Sequence, residues 1–171
     1  MTSEVTMPSC ETVPIASLRP YANNPRTHTK KQIHQIARSI KRYGWTNPVL
    51  VDAENGVIAG HGRIEAATQL GITEVPVLRI DHMNSAEKRA YIIADNRLAE
   101  NAGWDDGLLA AELQWLLDLD LDFDLELTGF EMGEIDVILG DGVAEEEPPA
   151  PEPDIDSPAT NRPGDLWLIG P

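Results

Sequence analysis

Apolar positions recur with helical spacing along residues 29–44, in the most regular pattern of the chain. One helical face, with the spacing i, i+3, i+4, i+7, is formed by Ile33, Ile36, Ala37 and Ile40. Thr29 and Gln32 have the spacing of a capping box, and Gly44 is suited to end the helix. The pattern therefore predicts one long amphipathic helix.

Short runs rich in β-branched residues surround this helix. They predict strands over 12–18, 48–52, 57–59 and 75–80. Asn55-Gly56 is a strong hairpin signal between the second and third runs. Pro14 restricts the first run to the edge of a sheet, because proline cannot donate a ladder hydrogen bond.

Two further helices complete the predicted domain. One covers 63–70 and ends at Gly71, and the other begins at a Ser85 cap and continues to about Asn101. The buried candidates on the second of these helices are Ala86, Ala90, Ile93 and Leu98. Strands and helices in this order predict an α+β fold, a small mixed sheet with packed helices.

The composition changes after this domain, and residues 104–140 predict an acidic helical extension. Leucine-rich stretches predict helices over 108–117 and 131–139. Leu and Asp alternate over 119–127, which formally resembles a strand. Because Asp is a poor strand former and acids on one face repel, we interpret this segment as an extended loop packed on the helices.

The two ends of the chain predict little packed structure. Residues 1–10 are interpreted as a disordered tail, and residues 141–161 as a disordered acidic, proline-rich linker. An apolar pattern resumes over 162–171, which we interpret as the start of a downstream region at which the chain is cut short.

The net charge of −16 is distributed unevenly along the chain. Residues 1–80 carry nine Lys and Arg against six Asp and Glu, whereas residues 104–171 carry one against nineteen. The front half is thus mildly basic, so that an acidic chain can still bind DNA there. A basic side of the first helix is the candidate DNA-binding surface, formed by Lys30, Lys31, Arg38, Lys41 and Arg42.

The composition disfavours a membrane protein and a secreted protein. No apolar run approaches the about 20 residues of a membrane helix, and the N-terminus lacks the basic and apolar regions of a signal peptide. We therefore expect a cytoplasmic protein with no membrane partner. The single Cys10 cannot form an internal disulfide and is assigned no role.

The strongest chemical signal is the strand–turn–helix sequence around Gly60-His61-Gly62-Arg63. Glycines allow a tight turn, and the following helix directs unpaired backbone N–H groups and the positive end of its dipole at the turn. Arg63 adds a guanidinium for an anion. A structural turn with a solvated or internally paired Arg63 is the simpler alternative, and His61 is a candidate general acid or base.

Two other segments could complete such an anion site. Asn24 and Arg26 lie in an Asn-Pro-Arg turn just before the first helix. Asp95 and Asn96 lie near the end of the last helix of the domain, where Asp95 could hold a Mg²⁺ that bridges phosphates. Ordinary solvated loop and helix residues would explain both segments equally well.

These motifs, in this order, resemble the N-terminal domain of ParB partition proteins, which has the ParB/sulfiredoxin fold. The resemblance covers about residues 11–103. It implies that the turn grips the triphosphate of a nucleotide, CTP as in ParB or ATP as in sulfiredoxin, with Mg²⁺.

The family turn is usually Gly-Glu-Arg-Arg, or Gly-Cys-His-Arg in sulfiredoxins; Gly60 and Arg63 match it. Without a cysteine at position 61, sulfiredoxin chemistry is excluded. Ala99 stands where the family's Glu-Asn-x-x-Arg motif, here beginning at Asp95-Asn96, has its final arginine. Fewer cations imply weaker or different nucleotide binding.

A ParB-like domain followed by an acidic extension, a linker and Arg-Pro-Gly-Asp-Leu-Trp resembles the front of proteins that join this domain to a DNA methyltransferase. No S-adenosylmethionine loop is recognised, so that cofactor is expected only in a missing downstream domain. No recognition helix is evident, and the helix-turn-helix domain of partition proteins is expected to be absent. The candidate partners are DNA, a downstream or separate methyltransferase domain, and a second copy in a homodimer.

Three functions remain open on these grounds. The first is a nucleotide- or phosphate-binding module associated with DNA modification. The second is a metal-dependent nuclease or another phosphotransfer enzyme, for which His61 and Asp95 are the candidate acid–base pair. The third is a DNA-docking module without nucleotide chemistry.

Overall fold

The computed structural model describes residues 9–141. These residues form, in chain order, β1 (Cys10–Pro14), α1 (Lys30–Tyr43), β2 (Val49–Val51), β3 (Val57–Ala59), α2 (His61–Gln69), β4 (Glu74–Arg79), α3 (Ser85–Glu100), α4 (Asp106–Leu117) and α5 (Met132–Asp141). Two short 3₁₀ helices cover Ile15–Ser17 and Leu125–Thr128. No helix in this part of the chain is long and apolar enough to cross a membrane.

The four strands form one mixed sheet in the order β1-β4-β2-β3. β1 is antiparallel to β4, β4 is parallel to β2, and β2 and β3 form the predicted antiparallel hairpin. Asn55 supplies the left-handed residue of that hairpin, with φ of 62°. The mixed sheet and its helices confirm the α+β prediction.

The sheet core is built from β-branched side chains. Four of them are fully buried in the centre of the sheet: Val49, Val51, Val75 and Val77. Helices α1 and α2 pack together through the buried Ile33, Ala37 and Ala66. The apolar stripe predicted for α1 is thus confirmed, and it directs one side of α1 toward α2.

The N-cap residue of α1 is Thr29, as expected, but the N-cap residue of α3 differs from the expected one. Thr29 accepts a hydrogen bond from the Gln32 amide at 3.1 Å and caps α1. The cap of α3 is Asn84 rather than Ser85, because its side chain accepts from two backbone amides while Glu87 bonds back to the Asn84 amide at 2.8 Å. This complete capping box satisfies more of the free donors than Ser85 alone would.

Three other sequence expectations were wrong. The strand predicted over 12–18 ends at Pro14 and turns into a 3₁₀ helix, whereas Cys10, assigned to the tail, pairs with Leu78. The buried candidates on α3 are exposed, Ile93 by 60% and Leu98 by 68%, and Ile92 is buried instead. Ala86 and Ala90 are also exposed. Since few of its residues contact the sheet, α3 buries a narrower stripe than its composition suggests.

The extension has a core of its own, formed by Leu113, Leu125 and Ile135. The segment 119–127 is a loop that ends in the 3₁₀ helix and buries Leu125, as expected. The predicted linker after Asp141 and the segment 162–171 lie outside the described residues.

We predict that Asn84→Ala lowers the free energy of unfolding by about 1 kcal/mol, the usual cost of removing an N-cap. Ser85→Ala is the matched control and is expected to change stability by less than half of that amount. Urea denaturation monitored by circular dichroism measures both. Equal losses in the two variants would contradict the assigned cap.

Candidate functional site

A cavity of about 180 Å³ opens at the bend between β3 and α2. Eight of its lining residues were predicted from sequence: Asn24, Arg26, Gly60, His61, Gly62, Arg63, Asp95 and Asn96. His28, Ile36, Ile58 and Ala59 complete the wall. Three separate segments of the sequence therefore converge on one cavity, smaller than the about 300–1,000 Å³ of a typical small-molecule site.

Gly60 makes the bend possible. It adopts a left-handed conformation with φ of 101° and is the N-cap of α2. A Cβ at this position would also lie 3.3 Å from both Arg63 Nη1 and Val49 Cγ2. Glycine thus lets the chain turn at once from the strand into the helix, whose first amides have no acceptor within the helix.

Arg63 keeps its guanidinium at the bend. Its Nη1 donates to the carbonyl oxygen of Pro48 at 3.1 Å, and the side chain is partly buried. Burial lowers the pKa of Arg63, an effect that the nearby Asp95 carboxylate opposes. Arg63 forms no salt bridge with any carboxylate in residues 9–141. The cavity wall therefore contains a partly buried cation that has no carboxylate partner among the described residues.

The His61 ring accepts a hydrogen bond from the backbone of the segment between β1 and α1. Its Nε2 accepts from the backbone N–H of Tyr21 at 3.2 Å, which places the proton of the neutral ring on Nδ1. Burial, and secondarily the neighbouring His28, lower the pKa of His61. The ring then offers a donor at Nδ1, and Nε2 cannot act as a base while this bond persists. The catalytic role of His61 stays a prediction.

His28 is a site residue that the sequence interpretation missed. A Cβ on Gly62 would lie 3.1 Å from its ring atoms Cε1 and Nε2, so a glycine at 62 lets the imidazole approach α2. His28 Nδ1 lies 3.0 Å from Gln32 Oε1, which draws the Gln32 side chain away from the expected capping box. The sequence signal that could have identified His28 is its position directly before Thr29, the cap of α1.

Asn24 and Arg26 form the rim of the cavity. The Asn24 side chain accepts from the Arg26 amide and donates to the Arg26 carbonyl, both at 3.2 Å, and so fixes the turn. Arg26 pairs with Glu100, whose second oxygen accepts from Arg97 at 3.2 Å. Hydrogen bonds from Arg97 and Arg26 lower the pKa of Glu100. Arg26 is thus a rim cation with a carboxylate partner.

Asp95 and Asn96 line the far side of the cavity on α3. Tyr91 Oη lies 3.5 Å from Asp95 Oδ1, and Asn96 donates to the Ile92 carbonyl at 2.7 Å. No cluster of three or more metal-ligating side chains was found in residues 9–141. The assignment of a metal to Asp95 stays a prediction.

A second cavity of about 310 Å³ adjoins the first and shares Arg63 and Ile36 with it. Ser39, Ile40 and the segment 44–47 line the remainder. The Nε1 of Trp45 is buried and has no hydrogen-bond partner among the described residues. This second cavity is also absent from the sequence interpretation, since no motif marks it.

The basic side chains of α1 lie away from these cavities. Three of the five pair with the extension: Lys31 with Glu131, Arg38 with Asp124 and Glu126, and Arg42 with Asp122. The bond from Arg38 Nη2 to Asp124 is 2.9 Å and raises the pKa of Arg38. Lys30 and Lys41 are exposed and form no salt bridge within residues 9–141. The predicted DNA-binding surface is therefore partly covered by the chain's own carboxylates.

Comparison with known proteins identifies the family. The family model of the ParB N-terminal domain matches residues 1–97, and that of the ParB-methyltransferase HTH domain matches residues 107–163. The chain belongs to the family of ParB N-terminal domains, as the resemblance predicted.

Similar proteins support the same family. The ParB-like nuclease domain-containing protein YnaK of Escherichia coli K12 is 46% identical over 76 residues, 44% of this chain and 87% of that protein. The nucleoid occlusion protein of Geobacillus thermodenitrificans is 33% identical over 89 residues, 49% of this chain but only 31% of that protein. A truncated Caulobacter crescentus ParB complexed with CTP-γ-S shares the fold, with a TM-score of 0.61, 20% identity and 77% of each chain covered.

The second family match corrects one expectation. The sequence analysis expected no helix-turn-helix domain, whereas the family model of the ParB-methyltransferase HTH domain matches residues 107–163. The matched range covers α4 and α5, and residues 104–141 carry no Lys or Arg. The basic recognition helix that would have revealed such a domain is therefore missing from the described part.

We predict that the stability of the protein depends on the protonation of His61. Because the folded pKa is lowered from the ordinary value of 6.5, the unfolded chain binds a proton at higher pH than the folded chain. The contribution of the neutral His61 ring to the free energy of unfolding is complete above about pH 6.5. It is lost as pH falls through the pKa of the folded state.

Urea denaturation between pH 7.5 and 5.0 tests this expectation. His61→Gln should lose stability less steeply than the wild type as pH falls, whereas the exposed His82→Gln should follow the wild type. Parallel curves for the wild type and His61→Gln would contradict the prediction.

Proposed function

We propose that this chain is a nucleotide-binding module whose bend cavity takes the phosphates of a nucleoside triphosphate. The observation that carries the proposal is the partly buried guanidinium of Arg63, which has no salt bridge in residues 9–141. A phosphate there would accept hydrogen bonds from the first amides of α2 and offset the desolvation of Arg63.

The donors around the cavity fit an anion. His61 presents Nδ1–H, and Gly62 lets the His28 imidazole, which also lines the cavity, lie close to α2. Arg26 is already paired with Glu100, so we assign it a secondary role at the rim. Asp95 would share a Mg²⁺ with the phosphates, since Mg²⁺ is commonly held by one or two carboxylates and substrate phosphates.

The second cavity is suited to the nucleoside. It adjoins the first cavity at Arg63, and its volume of about 310 Å³ lies in the range of small-molecule sites. A ribose or base in this cavity would lie beside Trp45, whose buried Nε1–H has no hydrogen-bond partner among the described residues. CTP is the first nucleotide to test, because the Caulobacter crescentus ParB of the same fold was solved with CTP-γ-S.

The biological setting is proposed from the family. The second matching family is named for ParB methyltransferases, which supports association with a DNA methyltransferase, downstream or on a partner chain. DNA association is supported by the nucleoid occlusion relatives and by the basic side of α1. S-adenosylmethionine would then bind the methyltransferase and not residues 9–141.

Calorimetric titration with CTP, ATP and GTP in the presence of Mg²⁺ tests the proposal. We expect Arg63→Ala to weaken binding by about 10- to 100-fold, the effect of a lost charged hydrogen bond of about 1.5–3 kcal/mol. Arg63→Lys should recover part of the affinity, because it keeps the charge but not the planar fork.

Arg89→Ala is the matched control, since it removes the same charge from an exposed position on α3 outside both cavities. It should bind as the wild type does. Absence of nucleotide binding by the wild type at millimolar concentration, or equal losses in Arg63→Ala and Arg89→Ala, would contradict the proposal.

A second candidate is metal-dependent cleavage of DNA. The relative YnaK is named for a ParB-like nuclease domain, and His61 and Asp95 line the same cavity here. We expect that any Mg²⁺- or Mn²⁺-dependent nicking of supercoiled plasmid would be lost in both His61→Ala and Asp95→Asn. Nicking that persists in either variant would argue against this function.

A further inference from the structure

We propose that the basic side of α1 is a docking surface for the DNA backbone, and that the acidic extension occupies this surface as a detachable electrostatic latch. DNA phosphates and the carboxylates of the extension would then compete for the same cations. The inference does not depend on nucleotide binding in the bend cavity.

The contact follows one stripe of α1. Lys31, Gln35, Arg38 and Arg42 fall at i, i+4, i+7 and i+11, and all four contact the extension. Gln35 donates to the carbonyl of Gly129 at 3.4 Å, in the middle of the stripe. The stripe thus meets the extension along three turns of the helix.

The other three contacts on this stripe are made by charged side chains. Arg38 binds Asp124 at 2.9 Å and Glu126 at 3.3 Å. Arg42 donates to Asp122 and also lies over the ring of Phe123, with 5.0 Å between Cζ and the ring centroid. Adding the pair of Lys31 with Glu131, four carboxylates surround three cations. Within the contact the carboxylates therefore outnumber the cations, which keeps these three cations from the phosphates of DNA.

No buried apolar cluster of the described residues spans the two parts. The buried cluster of α1 and α2 around Ile33 and the buried cluster of the extension around Leu113 are separate. The ion pairs are partly or largely open to solvent, with Lys31 60% and Asp122 77% exposed. Exposed ion pairs are individually weak and screened by salt, so the contact is reversible without loss of either core.

DNA is a stronger competitor than the extension. Its phosphates accept the forked hydrogen bonds of Arg38 and Arg42 as carboxylates do, and DNA binding additionally releases condensed counterions. Lys30 and Lys41, both exposed on α1, add two cations beside the stripe. Detachment of the extension would therefore remove four carboxylates from this side of α1 and leave five cations open to DNA.

The test uses the full chain and a fluorescent 30-base-pair duplex of arbitrary sequence. One variant neutralises the latch by D122N, D124N, E126Q and E131Q. The matched control removes the same charge from exposed positions outside the contact by D106N, E112Q, D120N and D136N. Binding is measured by fluorescence anisotropy between 50 and 200 mM salt.

We expect the latch variant to bind DNA at least 10-fold more tightly than the control at low salt. The slope of log K against log salt should steepen by about 3, because three more phosphates would be contacted. Adding R38Q and R42Q to the latch variant should abolish the gain. Equal binding by the latch variant and the control, or a gain that survives R38Q and R42Q, would overturn the proposal.

A second measurement uses the unmodified chain, in case the latch variant does not fold. Hydrogen exchange of residues 119–131 should accelerate between 50 and 500 mM salt, while amides near Leu113 in the core of the extension stay protected. Unchanged exchange of 119–131 over this range would show that the contact is not an electrostatic latch.

Discussion

The charge of Arg63 is the constraint that connects the fold of this chain to its site. The guanidinium is placed by a bond to the carbonyl just before β2, and it lies over a glycine whose missing Cβ makes room for it. Both positions depend on the hairpin of β2 and β3, which brings Pro48 and Gly60 together. Because this cation is partly buried and forms no salt bridge within the described residues, an anion bound beside it would offset the cost of its desolvation.

Local signals allowed much of the domain to be predicted from sequence. The Asn55-Gly56 turn, the Thr29 cap and the glycine bend each depend on a few consecutive residues, and each lies where it was expected. The convergence of three segments on one cavity was also anticipated, from the polar and charged residues in each segment and then from the family resemblance, rather than from periodicity. The exposure of Ile93 and Leu98 on α3 was not predicted, because apolar composition alone does not show how much of a helix surface packs against the rest of the protein.

The interactions that changed the interpretation join distant parts of the chain. The bond between His61 and the Tyr21 amide spans 40 positions, and the pair of Arg38 with Asp124 spans 86. Neither has a local signature, so a free imidazole and a free basic helix were the natural expectations. The helix-turn-helix match was missed for a different reason. Its residues are acidic, whereas such a domain is usually recognised by its basic residues.

The two edge strands of the sheet, β1 and β3, determine whether neighbouring copies could pair with it. β1 carries Pro14 at its end, and β3 has only three residues, beside which the backbone of Arg19 bonds to Asn55 and Val57. Open strand edges otherwise invite neighbouring chains to add strands and aggregate. The edge at β3 is thus both short and shielded by Arg19, and the edge at β1 ends in a proline, so neither offers a neighbouring copy a long open strand to pair with.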